Sequence, residues 1–162
     1  MESPVGKLLL AADEAGLRQV AFADGRDHAR PLPDWREDAA PLREVIRQLR
    51  AFFSGELHDF DLKLAPAGPE FHRKVWRELC NIPYGETISY GELARRVGSP
   101  NASRAVGRAN GANPIAIVIP CHRVIGSNGK LTGYGGGLPR KEFLLALEKA
   151  QQPLWSTTTS GA

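Results

Sequence analysis

A proline- and glycine-rich segment at residues 65–69 most constrains how this chain of 162 residues can fold. The segment reads Ala-Pro-Ala-Gly-Pro, and residues of this kind interrupt both helices and strands. It predicts a linker between an N-terminal domain at 1–64 and a C-terminal domain at 70–152. The polar stretch at 153–162 is expected to be a disordered tail.

The N-terminal domain has the pattern of a small α/β unit with an antiparallel sheet. Apolar runs at 7–12 and 17–22 flank Asp-Glu-Ala-Gly and predict a β-hairpin. Apolar residues at helical spacing predict a helix over 41–53, and residues 59–64 are a candidate for a further strand. Because no chemical motif occurs in this region, we interpret it as a scaffold.

The C-terminal domain is predicted to be mainly helical, which makes the whole chain α+β. A helix follows the linker at once, with a core-facing stripe that includes Cys80, so we interpret this cysteine as structural. The stripe consists of Phe71, Val75, Trp76, Leu79 and Cys80. A last helix begins at Pro139, with Phe143, Leu144 and Leu147 expected on its inner side.

Two short helices in between predict a helix-turn-helix of the winged-helix kind. Ser89 to Glu92 matches a capping box, and the helix that it opens should stop at Gly98. A second helix then runs to about Asn110, joined by a Gly-Ser-Pro turn. Its outward residues Arg104, Gly107 and Arg108 combine arginine with a small residue, which favours close approach to a minor groove over base reading in a major groove.

An apolar run at 115–119 is followed by Pro120, Cys121 and His122, which begin a turn-rich loop. A thiol attacks as thiolate, so Cys121 needs a base, and His122 is adjacent. Neighbours in an extended segment point to opposite sides, so His122 would act through a bridging water or a local turn. A buried, inert cysteine is an equally good interpretation of these residues taken by themselves.

Charge is unevenly distributed along the chain. Residues 1–69 hold 9 Lys and Arg against 12 Asp and Glu, whereas residues 70–162 hold 12 against 6. A basic second half fits a polyanionic partner or, equally, a solvated surface. The start has no basic segment and its leucine run is too short to span a membrane, so we expect a cytoplasmic protein without membrane contact.

Metal and cofactor sites are not indicated. The chain has two cysteines, and no Cys-x-x-Cys or clustered Cys/His spacing occurs. His28 and His58 lie in polar surroundings and are expected to be solvated surface residues. We therefore predict no bound metal and no cofactor.

Three strings in the second half carry a resemblance to a known family. They are Arg104-Ala105-Val106-Gly107-Arg108-Ala109-Asn110-Gly111-Ala112-Asn113-Pro114, then Pro120-Cys121-His122-Arg123-Val124, and Gly133-Tyr134-Gly135-Gly136-Gly137-Leu138. Together they resemble the O6-alkylguanine-DNA alkyltransferases, also called methylated-DNA–protein-cysteine methyltransferases. The match runs from about residue 71 to 148, and a looser one reaches the N-terminus.

The resemblance implies a role for each matching residue. Cys121 would be the nucleophile and alkyl acceptor, His122 would draw its proton through a water, and Glu148 would orient His122. Tyr90 would donate to the purine, and Asn113 would tie the helix-turn-helix to the reactive segment.

The resemblance also implies a base pocket, which would comprise Val124, Tyr134, Gly135, Gly136 and Lys141. For Lys141, a salt bridge at the surface is an equally good interpretation. The DNA-binding residues would be Arg104, Tyr90, Ala105, Gly107, Arg108 and Arg123, with Arg104 replacing an everted base.

The implied function is direct DNA repair. The alkyl group of O6-alkylguanine, and by extension of O4-alkylthymine, would move irreversibly to Cys121 after base flipping in duplex DNA. The protein would act as a monomer, with clustering on DNA as a further expectation. A non-catalytic helix-turn-helix DNA-binding or regulatory protein is the alternative, and a Cys-His hydrolase is a third.

Two departures from the family pattern concern the pocket. Ala116 and Gly135 are small where some relatives carry proline and serine. We hypothesise that the pocket admits bulkier alkyl groups. Equal repair rates for methyl and benzyl adducts in this protein and its Ala116→Pro/Gly135→Ser variant would count against that hypothesis.

Overall fold

Two N-terminal strands form an antiparallel hairpin in the computed structural model, which describes residues 1–24 and 33–151. Strand β1 spans Leu8–Asp13 and β2 spans Gly16–Phe22, with Leu8 opposite Phe22. Gly16 has a φ of 137°, and a Cβ there would lie 2.5 Å from the Lys63 carbonyl oxygen. The turn therefore requires glycine, and the hairpin prediction is confirmed.

Helix α1 spans Arg43–Phe53, after a 3-10 turn at Ala40–Leu42 that contains Pro41. Its buried face includes Val45, Leu49 and Phe52, as the spacing predicts. His28 lies outside the described residues. His58 is exposed, and its ring stacks on Tyr84 with centroids 3.9 Å apart.

The prediction of a strand over 59–64 is wrong. Within that stretch only Leu64 forms a bridge, with Leu17. The backbone of Asp61 instead pairs with the Gln48 side chain of α1, donating to Oε1 and accepting from Nε2 at 2.9 Å each. A side chain thus satisfies backbone groups that a strand partner would otherwise take.

Helix α2 spans Glu70–Leu79 and buries Val75, Trp76 and Leu79. The indole Nε1 of Trp76 donates to the Ala109 carbonyl at 2.8 Å, which joins α2 to a later helix. The prediction of a core position for Cys80 is wrong. It is exposed, because it is the C-cap residue at which the chain leaves the helix.

Helices α3, Tyr90–Arg96, and α4, Ser103–Gly111, pack against each other and on α2. Ser89 caps α3 by accepting from the Glu92 amide at 3.0 Å. The Glu92 carboxylate pairs with Arg95 and Arg96. Gly98, with a φ of 77°, follows the end of α3 as predicted.

The apolar run at 115–119 is buried, but it is not an extended segment as expected. Ile117 has a φ of 73°, and the Ile119 amide donates to the Ile115 carbonyl at 3.0 Å. Residue Val20 of β2 holds this turn, since its amide donates to the Pro114 carbonyl and its carbonyl accepts from the Ala116 amide. The hairpin thus contacts the segment that precedes Cys121.

Two short strands and a last helix complete the fold. Strands β3, Ile88–Ser89, and β4, Val124–Ile125, pair in parallel, and helix α5 spans Leu138–Ala150. Leu144 is buried in α5 as predicted and Leu147 is partly buried, but Phe143 is 40% exposed, so its predicted inner position is wrong. The α+β prediction is confirmed. The predicted tail lies outside the described residues.

No helix within 1–24 and 33–151 is both long enough and apolar enough to cross a membrane. In the same part of the chain, no group of three or more His, Cys, Asp or Glu side chains is arranged to hold a metal ion.

Candidate active site

Cys121 begins a 3-10 turn, Cys121–Arg123, directly after Pro120. The turn is closed by the Arg123 amide, which donates to the Pro120 carbonyl at 3.0 Å. Cys121 is buried, with 6% of its surface exposed. The local turn replaces the extended geometry in which neighbouring side chains point to opposite sides.

The His122 ring is fully buried against the carboxylate of Glu148. Its Nε2 lies 2.6 Å from Oε2 of Glu148, and its Nδ1 has no hydrogen-bond partner among the described residues. Burial lowers the pKa of His122, although the Glu148 carboxylate acts to raise it. A neutral imidazole that donates from Nε2 therefore keeps the lone pair on Nδ1 as a proton acceptor.

Glu148 is held by more than the histidine. The Arg123 guanidinium donates to both carboxylate oxygens, at 2.9 and 3.0 Å, and the Gly85 amide donates to Oε1 at 3.0 Å. Burial acts to raise the pKa of Glu148, but His122 and Arg123 outweigh it and lower the pKa to about 2. Glu148 is thus a fixed anion behind the imidazole.

The buried position of Arg123 does not fit its predicted role as a DNA-binding residue. Its side chain is buried, and besides Glu148 it donates to the Ile82 carbonyl at 2.7 Å. A guanidinium used in this way is not available to phosphates at the surface.

Its surroundings favour the protonated form of the Cys121 thiol. Burial raises its pKa, and this outweighs the opposing effects of a hydrogen bond from Asn113 and the charge of Lys141. A reaction at neutral pH therefore needs transfer of the thiol proton to a base.

Asn113 braces the turn before Cys121. Its Nδ2 donates to the Ile119 carbonyl at 2.8 Å, and its Oδ1 accepts from the Ile115 amide at 2.9 Å. The side chain thus connects the segment that follows α4 to the one that precedes Cys121.

Lys141 is fully buried, so its interpretation as a surface salt-bridging lysine is wrong. Its Nζ donates to the carbonyls of Val124 at 2.7 Å and Thr132 at 2.8 Å. Burial lowers its pKa, and the nearby Cys121 acts to raise it. A cation here favours the thiolate, and it also fixes β4 to the start of the glycine-rich loop.

Tyr134, in the glycine-rich loop at 133–137, lies close enough to Cys121 for the two groups to interact electrostatically. Tyr134 is buried, and burial together with the charge of Cys121 raises its pKa. Gly136 packs on Phe22 of β2, whereas a Cβ at Gly135 would meet open space. Serine in place of Gly135 would therefore project into free volume rather than clash.

The second helix of the predicted pair presents a basic outer surface. Arg104 and Arg108 are exposed on α4, and Ala105 is half-buried beside them. A Cβ at Gly107 would lie 3.9 Å from the Tyr90 ring, and the Tyr90 hydroxyl accepts from Thr132 Oγ1 at 3.4 Å. Tyr90 thus lies between α4 and the loop that follows β4.

Comparison with known proteins places this geometry in context. Residues 70–150 match the profile described as 6-O-methylguanine DNA methyltransferase, DNA binding domain, and residues 1–66 match that described as 6-O-methylguanine DNA methyltransferase, ribonuclease-like domain. The chain belongs to the 6-O-methylguanine DNA methyltransferase family.

Individual relatives are similar over nearly the whole chain. A methylated-DNA–protein-cysteine methyltransferase from Methanosarcina acetivorans is 58% identical over 147 residues, covering 91% of this chain and 94% of that protein. One from Mycolicibacterium paratuberculosis is 52% identical, covering 94% and 92%. The crystal structure of Mycobacterium tuberculosis OGT in complex with DNA matches with a TM-score of 0.88 at 48% identity, covering 95% and 93%.

In this member of the 6-O-methylguanine DNA methyltransferase family, the sequence pattern does not indicate several residues that support the site. Gly85 contacts Glu148, Ile82 contacts Arg123, and Phe22 contacts the loop at 133–137. These contacts join positions far apart in the chain, so no local spacing signals them. The sequence shows that Arg123, in the Pro-Cys-His-Arg string, is positively charged. It does not show whether that charge belongs to a buried ion pair or contacts a phosphate.

Proposed function

We propose that this protein repairs O6-alkylguanine in duplex DNA by transferring the alkyl group irreversibly to Sγ of Cys121. The observation that carries the proposal is the buried thiol followed directly by His122, whose Nε2 is engaged by Glu148 while Nδ1 stays available. The relatives named methylated-DNA–protein-cysteine methyltransferases support it.

The reaction begins with removal of the Cys121 proton, which passes through a water to His122 Nδ1. The thiolate then attacks the alkyl carbon in line, forming an S–C bond while the C–O6 bond breaks and its electron pair goes to the purine. Tyr90 transfers its hydroxyl proton to the purine ring so that guanine leaves as a neutral base, and the proton taken up by His122 then restores the Tyr90 hydroxyl through solvent. Glu148, held ionised by Arg123, stabilises the imidazolium that forms.

The product is a neutral thioether. Water does not expel a thiolate from a saturated carbon at a useful rate, so each protein molecule reacts once. A Cys-His hydrolase would instead need an acyl intermediate that water releases.

DNA recognition in this proposal uses α3 and α4 as a helix-turn-helix. The basic surface of α4 approaches the minor groove, Gly107 allows close contact, and Arg104 occupies the space left by the flipped nucleotide. The structure of the M. tuberculosis relative with DNA supports a DNA partner. We further propose a monomer in the cytoplasm, where thiols stay reduced, and a division into domains at residues 65–69.

Intact-mass spectrometry tests the transfer. Incubation with an O6-methylguanine duplex should add the mass of one CH2 group to the wild-type protein, on the peptide that contains Cys121, and none to Cys121→Ser. A mass that never changes while the lesion-bearing DNA is bound would instead support the non-catalytic DNA-binding alternative. Many guanines released per protein would support a hydrolase.

A further inference from the structure

Arg140, in the first turn of α5, connects the glycine-rich loop to the N-terminal hairpin. Its Nη1 donates to the Gly136 carbonyl at 3.2 Å, its Nε to the Val5 carbonyl at 2.6 Å, and its Nη2 to the Asp24 carboxylate at 2.6 Å. The guanidinium also lies over the Phe22 ring, 4.8 Å from its centroid. One side chain thus contacts the loop and three residues that come before residue 25.

Phe22, the last residue of β2, contacts the same loop directly. Its ring meets that of Tyr134 edge-on, with centroids 5.8 Å apart. A Cβ on Gly136 would lie only 2.6 Å from the Phe22 ring, so the ring packs against the loop backbone itself. Any side chain at residue 136 would push the loop and the hairpin apart.

Two other glycines of the loop border open space. A Cβ at Gly133 or at Gly135 would meet no atom within 4 Å. Within the loop, the Gly137 amide donates to the Tyr134 carbonyl at 2.9 Å, which closes a turn but does not fix it to the rest of the molecule. The contacts with Phe22 and Arg140 therefore hold the loop from the hairpin side.

We propose that Phe22 and Arg140 are positioning residues that set the place of Tyr134 and Gly135, and thereby the discrimination between small and bulky alkyl groups. This inference rests on the proposed function, since it assigns the loop at 133–137 to the wall of the alkylguanine pocket. It gives the N-terminal hairpin a part in substrate selection instead of a scaffold role only.

The physical argument concerns alignment and room. A methyl group makes few contacts of its own, so its in-line presentation to Cys121 depends on a wall that is held in place. A benzyl group fills more of the pocket and gains space when the wall is released. Releasing the loop should therefore slow methyl transfer more than benzyl transfer.

Single-turnover rates with O6-methylguanine and O6-benzylguanine duplexes test this in the full chain. Phe22→Leu and Arg140→Gln should each raise the benzyl-to-methyl rate ratio by about tenfold, mainly through slower methyl transfer. Arg18→Gln is the matched control, because Arg18 also joins a carboxylate and a carbonyl, those of Asp13 and Ala65, but away from the loop. Its ratio should equal that of wild type.

A general loss of stability lowers both rates together after correction for active protein, so an unchanged ratio in both variants would overturn the inference. Hydrogen exchange gives a readout that does not depend on the chemistry. Amides of the peptide over 133–140 should exchange faster in Phe22→Leu and Arg140→Gln than in wild type and Arg18→Gln, and equal exchange would also overturn it. Failure of the wild type to accept either alkyl group would refute the proposed function separately.

Discussion

The proposed reactivity of Cys121 depends on Nδ1 of His122, the ring nitrogen that Glu148 does not contact. Glutamine at residue 122 can still donate to Glu148 from the place of Nε2, but it has no basic nitrogen in place of Nδ1. We expect His122→Gln to fold and to transfer methyl groups about 10²- to 10⁴-fold more slowly than wild type, the usual contribution of a general base. Mass spectrometry of samples quenched at successive times measures the rate of methyl transfer.

The pH dependence of that variant separates the base from a packing role. Without His122 the reaction must wait for direct ionisation of a thiol whose pKa is raised by burial, so the residual rate should climb steeply toward alkaline pH. A rate near that of wild type at neutral pH would contradict the assignment of His122.

Arg123 and Arg108 are two arginines that the sequence does not distinguish and the structure does. Arg123→Gln removes the cationic partner of the buried Glu148 carboxylate and should lower the free energy of unfolding by about 3–5 kcal/mol, measured by urea denaturation. Arg108→Gln changes an exposed residue of α4 and should leave stability unchanged, while it reduces the salt dependence of DNA binding by about one phosphate contact. A stable Arg123→Gln protein with weaker, less salt-dependent DNA binding would reverse both assignments.

At the scale of elements, β2 and the turn before Cys121 are joined through the backbone. Proline at residue 116 would remove the amide that donates to the Val20 carbonyl at 2.9 Å, and this carbonyl is buried. We expect Ala116→Pro to lose about 1–3 kcal/mol of stability, the cost of an unpaired buried polar group. The measurement is the urea midpoint.

Ala116→Gly is the control for that substitution, because it keeps the amide while removing the methyl group. It should lose less stability than Ala116→Pro. Equal midpoints for the two variants would show that the hydrogen bond to Val20 contributes nothing measurable. The comparison also matters for tests of alkyl-group preference. A variant that includes Ala116→Pro loses the hydrogen bond to Val20 of β2 in addition to any change in the proposed pocket.

The elements that the sequence predicts correctly are those with local signals. Ser89 caps α3 three residues before its partner amide, and a four-residue turn closes the hairpin around Gly16. Two of the failures involve distant partners, since Gln48 bonds to the backbone of Asp61 and Val20 holds the run at 115–119 in a turn. Apolar periodicity predicts burial but does not show which distant group satisfies a backbone amide.

The same distinction holds for the site. The Pro-Cys-His-Arg string makes Cys121 a candidate nucleophile with His122 beside it, and the resemblance supplies Glu148, 26 residues from His122 in the chain. The burial of Arg123 and Lys141 could not be predicted, because both side chains have a polar type and acquire their partners only when α5 packs on the turn at Cys121–Arg123. Charge counting then assigns them to the surface.

The chain is acidic over residues 1–69 and basic over residues 70–162, and its described residues include a buried ionic group of His122, Arg123 and Glu148. The hairpin contacts the reactive turn through Val20 and the glycine-rich loop through Phe22. The proposed DNA-binding surface on α4 and the proposed pocket, which the hairpin supports, should therefore respond to different substitutions. We expect loss of charge on α4 to lower DNA affinity and loss of hairpin contacts to change the pocket.

Stability should fall with acid because of the same buried group. The folded pKa of His122 is lowered by burial, so in the unfolded chain this residue binds a proton that the folded protein does not. The contribution of His122 to the free energy of unfolding is present above about pH 6.5 and is lost as the pH falls through the folded pKa. Glu148 adds a second loss at lower pH, because its contribution is present above its ordinary value of 4.5 and disappears as the pH falls through about 2.

Urea midpoints measured across the range from about pH 7 to pH 4 should therefore decline for the wild-type protein. In His122→Gln, the part of the decline that begins near pH 6.5 should be smaller, because glutamine takes up no proton on unfolding, while the Glu148 part at lower pH persists. Identical curves for the two proteins would mean that His122 is as easily protonated in the folded state as in the unfolded chain. In that case the effects of burial and of the Glu148 carboxylate on the His122 pKa would cancel, and protonation would remove the proton acceptor in the folded protein below about pH 6.5.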